Sequence, residues 1–491
     1  MQTDQNPESP PIEPTRRPMR VAIAGASGFV GLALRQRLAG SFDLVALTRR
    51  LSNPSSVTID ADGVEWRQCD LFDPDSIATA IDGVDLVIYL VHSMSPQSRL
   101  TQARFDDLDL VLADNMRRAM NRAGTSHIVF LGGLGAHQEP SMLSRHLVSR
   151  QEVGVVLGGG DAELTELRAG LVIGHRGSSF RMLIRLIRRL PIMVLPRWTS
   201  TPTQPISIDD VVRAFLLVLE DPSAWEGQFD LGIEEEMTYG DMIRRAARGM
   251  GRNPITVPVP ISSPRVSTLW IMLFSGEPAS LVIPLIASLK TPTMARANPL
   301  LERMDRSSLV GFDQAVKECL AAEGAEEDPR RATRKRDRKV IHRRSLVRSI
   351  QRMPMPDDLT PRMAMRAYWE WLRGVFRPLL RIRTDISPND GAVDRVMVHL
   401  FGLIPMLELH RQPEACDGEI ETMKIVGGLL VRKQSPPNSR LEFRAIRKCG
   451  VLLTTLQDYA PSLPWPLYLC SQAWLHLMVM KGFRRWLRRR R

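Results

Sequence analysis

The stretch Gly25-Ala26-Ser27-Gly28-Phe29-Val30-Gly31 constrains this chain more than any other. It follows a short apolar run, Val21-Ala22-Ile23-Ala24, and it opens a segment, Phe29–Leu38, with the spacing of a helix. The three glycines meet three different needs of such a turn. Gly25 permits a tight backbone turn, Gly28 removes a side chain from the path of an approaching anion, and Gly31 lets the helix pack on the strand. The helix start adds unpaired N–H groups and the positive end of a dipole. An ordinary strand–turn–helix is the plain alternative. The correct context on both sides favours a pyrophosphate cradle.

The segments that follow alternate. Leu44–Leu47, Val64–Gln68, Asp85–Val91 and His127–Leu131 read as strands, and Asp107–Ala123 as a helix. Alternation of this kind predicts βαβ units, an α/β Rossmann-type parallel sheet with helices on both faces. The second strand ends at Thr48-Arg49-Arg50, where an NAD site usually presents an acidic residue to the ribose. Arginine there suits a 2′-phosphate, so NADP(H) is favoured and NAD(H) stays open; solvated arginines at a strand end are the bland reading. Asp70 in Cys69-Asp70-Leu71 either meets the adenine or caps the next loop. The cofactor-binding set is then Gly25, Ser27, Gly28, Phe29, Val30, Gly31, Thr48, Arg49, Arg50, Asp70, Leu71 and His92. No metal site is expected.

The order of these segments, with Leu167-Arg168-Ala169-Gly170-Leu171-Val172-Ile173-Gly174 and Gln204-Pro205-Ile206-Ser207-Ile208-Asp209-Asp210-Val211 after them, resembles the extended and atypical short-chain dehydrogenase/reductases. The likeness runs over about 19–300 and extends to NmrA-like regulators and the NADPH-binding accessory subunit of respiratory complex I. It implies that Gln204–Val211 closes over the nicotinamide end and that Phe229–Gly232 is the final strand. It also implies a Ser and a Tyr-x-x-x-Lys. Here Gly132-Gly133 stand where the Ser is expected, and His146-Leu147-Val148-Ser149-Arg150 where the Tyr and Lys are. Either the catalytic set is lost and His146 is a helix-surface residue, or His146 is a substitute acid and Arg150 a cofactor clamp. His92 and Ser93 are further candidate donors.

The second half reads differently. Residues 1–18 form a polar, proline-rich lead-in expected to be disordered, 19–320 the nucleotide-binding domain with a small substrate-side subdomain, 321–365 a basic linker, and 366–491 an α+β domain. Arg330–Arg352 holds eleven Lys/Arg against one Asp, much of the net charge of +12. It lacks interleaved aromatics, so a solvated linker helix is favoured over a nucleic-acid or membrane contact. Strand-like runs followed by a long helix faintly resemble a helix-grip fold, which often holds an apolar ligand. Trp465, Tyr468, Trp474, Phe483 and Trp486 beside Arg488–Arg491 suit that long helix, and peripheral membrane contact is the alternative. Five scattered cysteines without metal or redox spacing, and no long uninterrupted apolar run, lead to an expectation of a cytoplasmic protein. The two functional readings are an oxidoreductase on a small or quinone-like substrate and a non-catalytic NADP(H)-sensing or structural binding protein. The two halves are expected to be separable.

Overall fold

The computed structural model describes residues 18–49, 58–93, 100–135, 139–260, 268, 271–272, 279–323, 346–432, 436 and 438–490. The lead-in 1–17, Arg50, residues 324–345 of the basic linker and Arg491 lie outside them.

The strands are β1 (Arg20–Ala24), β2 (Asp43–Thr48), β3 (Thr58–Ile59), β4 (Glu65–Gln68), β5 (Leu86–Tyr89), β6 (Leu100–Gln102), β7 (His127–Gly133) and β8 (Glu163–Ala169). One sheet runs Gly227–Leu231, β8, β7, β5, β1, β2, β4, β3. Every pair is parallel except β3–β4. Strand order reverses at β1, which opens a crevice at its carboxyl end. The central strands β1, β2 and β5 are largely apolar because both of their faces are covered. Val21, Ile23 and Ile88 pack with Leu34 of α1 (Phe29–Leu38) and Phe215 of the helix Ile208–Glu220. Ala22, Val45 and Val87 turn to the opposite face, against α2 (Pro74–Ala80), α3 (Phe105–Ala123) and α4 (Arg145–Leu157).

Helices Ser178–Arg189, Tyr239–Gly249 and Phe312–Glu323 build a separate core, distinct from the two that flank the sheet. The helix Tyr239–Gly249 starts where it does because Thr238 and Asp241 form a reciprocal capping box. After it comes a strand, Ile255–Val259, paired in parallel with Ile192–Pro196. Its Ile255, Thr256 and Val257 favour the extended state, and its proline is tolerated at an edge.

The second domain is a largely antiparallel sheet in the order Leu380–Ile386, Val393–Leu400, Ile404–Arg411, Ile420–Gly427, Arg440–Ile446, Val451–Tyr459, Val347–Pro354, β6. Helices Pro361–Val375 and Gln472–Arg488 cover one face, the arrangement anticipated from strands followed by a long helix. Tyr368, Trp371, Phe443 and Phe483 fill the space between helices and sheet. The basic linker ends sooner than expected. Val347–Pro354 is a strand and Pro361 already opens a helix, so the second domain begins inside the stretch assigned to 321–365. Alternation hid it: Val347 and Met353 face the helices, while Arg348 and Arg352 point the other way into ion pairs.

Those ion pairs join the domains. β6 pairs in parallel with Val347–Pro354. Arg352 binds Asp107 at 2.6 Å and Glu152 at 2.7 Å, and Arg444 binds Asp114 at 2.5 Å. Ile350, Ile446, Val451 and Leu453 enter the same core as α2, α3 and α4. Helix α3, read as part of a separate nucleotide domain, is therefore buried on nearly every side.

Candidate functional site

The glycine turn has the geometry its spacing predicts. Gly25 has φ +97, and its carbonyl accepts from Gly28 N at 2.8 Å. A Cβ on Gly31 would lie 2.4 Å from Gly25 O, and one on Gly28 3.0 Å from the same atom. Arg35 steadies the loop by donating to Ala26 O at 3.1 Å while lying over Trp66. Gly28 caps α1 without any side-chain bond, so the first-turn amides remain available. The cradle thus fits a pyrophosphate, held by the backbone of Gly25–Gly31 with exposed Ser27 at its rim. Phe29 contributes packing: a Cβ on Gly174 would strike its ring at 2.3 Å.

Thr48 and exposed Arg49 stand at the end of β2, on the carboxyl side of the sheet. Asp70 has other partners. Its Oδ1 accepts from Phe72 N at 3.1 Å, and its Oδ2 meets Arg348 of the second domain at 3.2 Å. Of the two sequence readings, the loop cap is the contact observed. The Leu71 carbonyl accepts from Asn115 Nδ2 at 2.9 Å.

His92 and His146 come together although 54 residues separate them: His92 Nε2 is 3.0 Å from His146 Nδ1. His92 reaches this point from the end of β5, and His146 from the first turn of α4, which Ser144 caps. On its other side His92 Nδ1 stands 2.8 Å from Asp109 Oδ2, although this nitrogen makes no well-aligned hydrogen bond. Asp109 also accepts from Ser93 N at 2.7 Å. Burial would raise the Asp109 carboxyl, yet charge from His92 and Arg150 and the Ser93 amide hold it below its ordinary value. Burial, and then the nearby His92 and Arg150, push His146 well below the usual imidazole range. The row therefore runs from the Asp109 carboxylate through His92 to His146, the outer ring, which burial favours in its neutral form.

Arg150 does not reach toward the cleft. It is 6% exposed and donates to Val91 O at 3.1 Å and to Leu131 O. Its guanidinium lies over the Phe130 ring. The clamp reading gives way to one in which Arg150 ties the ends of β5 and β7 together. Gly132 has an equally local cause: a Cβ there would lie 2.4 Å from Glu166 Oε1, so a serine would require this buried carboxylate to move aside.

His146 borders a cavity of about 190 Å³ whose walls include Leu171, Met182, Trp198, Tyr239 and Leu285. Tyr239, absent from the sequence-derived site, hydrogen-bonds through its side chain to Thr293 and Thr203, and burial raises its hydroxyl pKa. Asp109 was also missed. The one trace it leaves is Asp106, Asp107 and Asp109 close together at the start of a helix, with apolar Leu110–Ala113 directly after them, which does not say where the carboxylate goes. Among the described residues no group of three or more His, Cys, Asp and Glu is arranged to hold a metal ion.

Residues 25–158 match the family model described as NAD(P)H-binding. The auxiliary protein GraX of Staphylococcus aureus is 24% identical over 148 residues, 28% of this chain and 47% of GraX. The uncharacterized protein Rv2047c of Mycobacterium tuberculosis is 27% identical over 248 residues, 50% of this chain and 24% of that protein. The chain thus spans less than half the length of these relatives. Among solved structures, Citrobacter triphenylmethane reductase with NADP(H) is 18% identical, covers 61% of this chain and 99% of its own, and has a TM-score of 0.48. An NADPH-dependent quinone oxidoreductase of Escherichia coli is 16% identical with the same coverages and TM-score.

Proposed function

We propose that the NAD(P)H-binding domain, with the cavity beside it, works as an NADP(H)-dependent reductase of a small, apolar, quinone-like acceptor. One observation carries the reading: His146 borders an apolar cavity while its inner nitrogen is linked through His92 to the buried Asp109 carboxylate.

The dinucleotide, when bound, supplies a hydride. The chain's part is to place the acceptor and deliver a proton. Charge that develops on an acceptor oxygen needs a donor. His146 Nε2–H faces that task as a neutral imidazole. With the extra proton on His92 beside Asp109, release from His146 Nε2 is matched by transfer from His92 Nε2 to His146 Nδ1. Both rings end neutral, and a solvent proton taken up at His146 Nε2, with return of the Nδ1 proton to His92 Nε2, restores the starting state. Asp109 and Arg150 act as positioning residues, the first on His92 and the second on the strand ends. Apolar walls favour an acceptor whose reduction needs little further polar help.

The inward turn of Arg150 and the absence of a Ser at 132 favour a second reading, in which the dinucleotide is held without turnover. NADPH oxidation by the full chain with a panel of lipophilic quinones decides between them. The reductase reading expects turnover with at least one quinone and a kcat reduced about 10²–10⁴-fold in His146→Ala, with cofactor affinity kept. Binding of NADPH without oxidation by any acceptor would establish the second.

A further inference from the structure

We propose that the outer face of the last helix, Gln472–Arg488, is a docking surface for an anionic lipid bilayer. The helix is two-sided. Ala473, Met480, Phe483 and Leu487 are buried against the sheet. The opposite stripe, at helical spacing, carries Trp474, Met478, Lys481, Arg485 and Arg488, all exposed. Its first half is apolar: Trp474 is 61% exposed, Leu475 47% and Met478 49%. Leu467, in the short helix Trp465–Cys470 just before it, is 58% exposed. The second half is cationic. From Pro461 to Arg491 the sequence has seven Lys/Arg and no Asp or Glu.

This pairing identifies the partner by its chemistry. Phosphates alone, as on a nucleic acid, would satisfy the arginines and leave Trp474, Leu475 and Met478 in water. A bilayer interface takes both halves: the apolar residues enter the acyl boundary while Lys481, Arg485 and Arg488 meet anionic headgroups. The indole of Trp474 suits the boundary between the two. Spanning is a different matter, since no helix among the described residues is long and apolar enough to cross a membrane. Seventeen residues lying flat give a contact line about 25 Å long at about 1.5 Å per residue. The buried side remains anchored in the aromatic core, so docking asks for no unfolding.

Co-sedimentation of the full chain with vesicles tests this, using phosphatidylcholine alone or mixed with phosphatidylglycerol, at low and high salt. Binding is expected only to the anionic vesicles and weaker at high salt. Charge reversal at three positions, K481E with R485E and R488E, should weaken it at least tenfold, since each cation near the surface contributes about 1 kcal/mol. Trp474→Ser with Met478→Ser should remove the binding that survives high salt. Both variants should keep the wild-type Tm and cofactor affinity, because the substituted side chains are exposed. Equal binding to neutral vesicles, no vesicle binding, or binding unchanged in both variants would overturn the proposal. So would tight capture of RNA that vesicles do not displace, or a dimer that the Trp474 and Met478 changes dissociate.

Discussion

At the scale of single residues, proton supply and cofactor choice each rest on a few side chains. Asp109→Asn keeps the shape but removes the charge that steadies a protonated His92. We expect a lower kcat whose pH dependence on the acidic limb is altered, with KM for NADPH unchanged; a uniformly scaled profile would make Asp109 a structural residue only. Arg49→Ala with Arg50→Ala should reduce a preference for NADPH over NADH by about tenfold or more, the worth of a charge-assisted contact of roughly 1.5–3 kcal/mol. Fluorescence titration of both cofactors checks it, and an unchanged ratio would place the 2′-phosphate elsewhere. His476 gives a stability prediction. Burial lowers it to about 4, and its Nε2 sits 3.1 Å from Ser349 Oγ. The unfolded chain then binds a proton first as pH falls below the ordinary imidazole value, so this site's stabilisation is complete above about 6.5 and drains toward the folded value. Gln at 476 should flatten the fall in Tm between about pH 7 and pH 5.

At the scale of elements, the turn at Gly25–Gly31 and the helix α3 show what a sequence can and cannot reveal. The turn is local. Its glycines, strand and helix are contiguous, so their spacing suffices to predict a cradle with Gly31 tight against Gly25 O. Gly31→Ala should destabilise the protein by about 1–3 kcal/mol through overpacking and abolish cofactor binding, read by thermal unfolding and titration. Helix α3 is the reverse case. Its apolar spacing predicts a helix, but the fate of its carboxylates depends on residues about 300 positions away. Asp114 meets Arg444 at 2.5 Å and Arg118 at 2.8 Å, and those charges hold it at about 2 against the push of burial. Asp114→Ala takes one of two carboxylates from buried Arg444, which keeps Glu442 at 2.7 Å, and should cost about 1–3 kcal/mol. The pair's contribution is present above the ordinary carboxylate value and is lost as pH falls toward the folded one. His146 was legible because it falls in a motif position. Asp109 and Tyr239 were not, because they reach the site through packing between elements that no spacing rule connects.

At the scale of the whole molecule, the charge run near 330–352 suggests a hinge between independent units, and the structure argues for a joint. A chain ending near Leu320 would lose the strand that β6 pairs with. It would uncover the face of α3 and α4 that packs on Ile350, Ile446, Val451 and Leu453. It would also leave Asp107, Asp114 and Glu152 without Arg352 and Arg444. Asp107 already sits high, pushed by burial to about 6 even with Arg352 beside it. Apolar faces opened to water cost about 25 cal/mol per Å², and the loss of Arg352 from beside Asp107 adds to that. Because α3 also carries Asp109, any loosening would travel directly to His92. We therefore expect the truncated chain to be insoluble or to unfold without a cooperative transition, and to bind NADPH weakly if at all. The full chain should unfold in a single step, with one Tm followed by near-UV and far-UV signals. A soluble fragment with a sharp transition and full cofactor affinity would show that the joint is dispensable, and that α3 holds its carboxylates in place without the second domain.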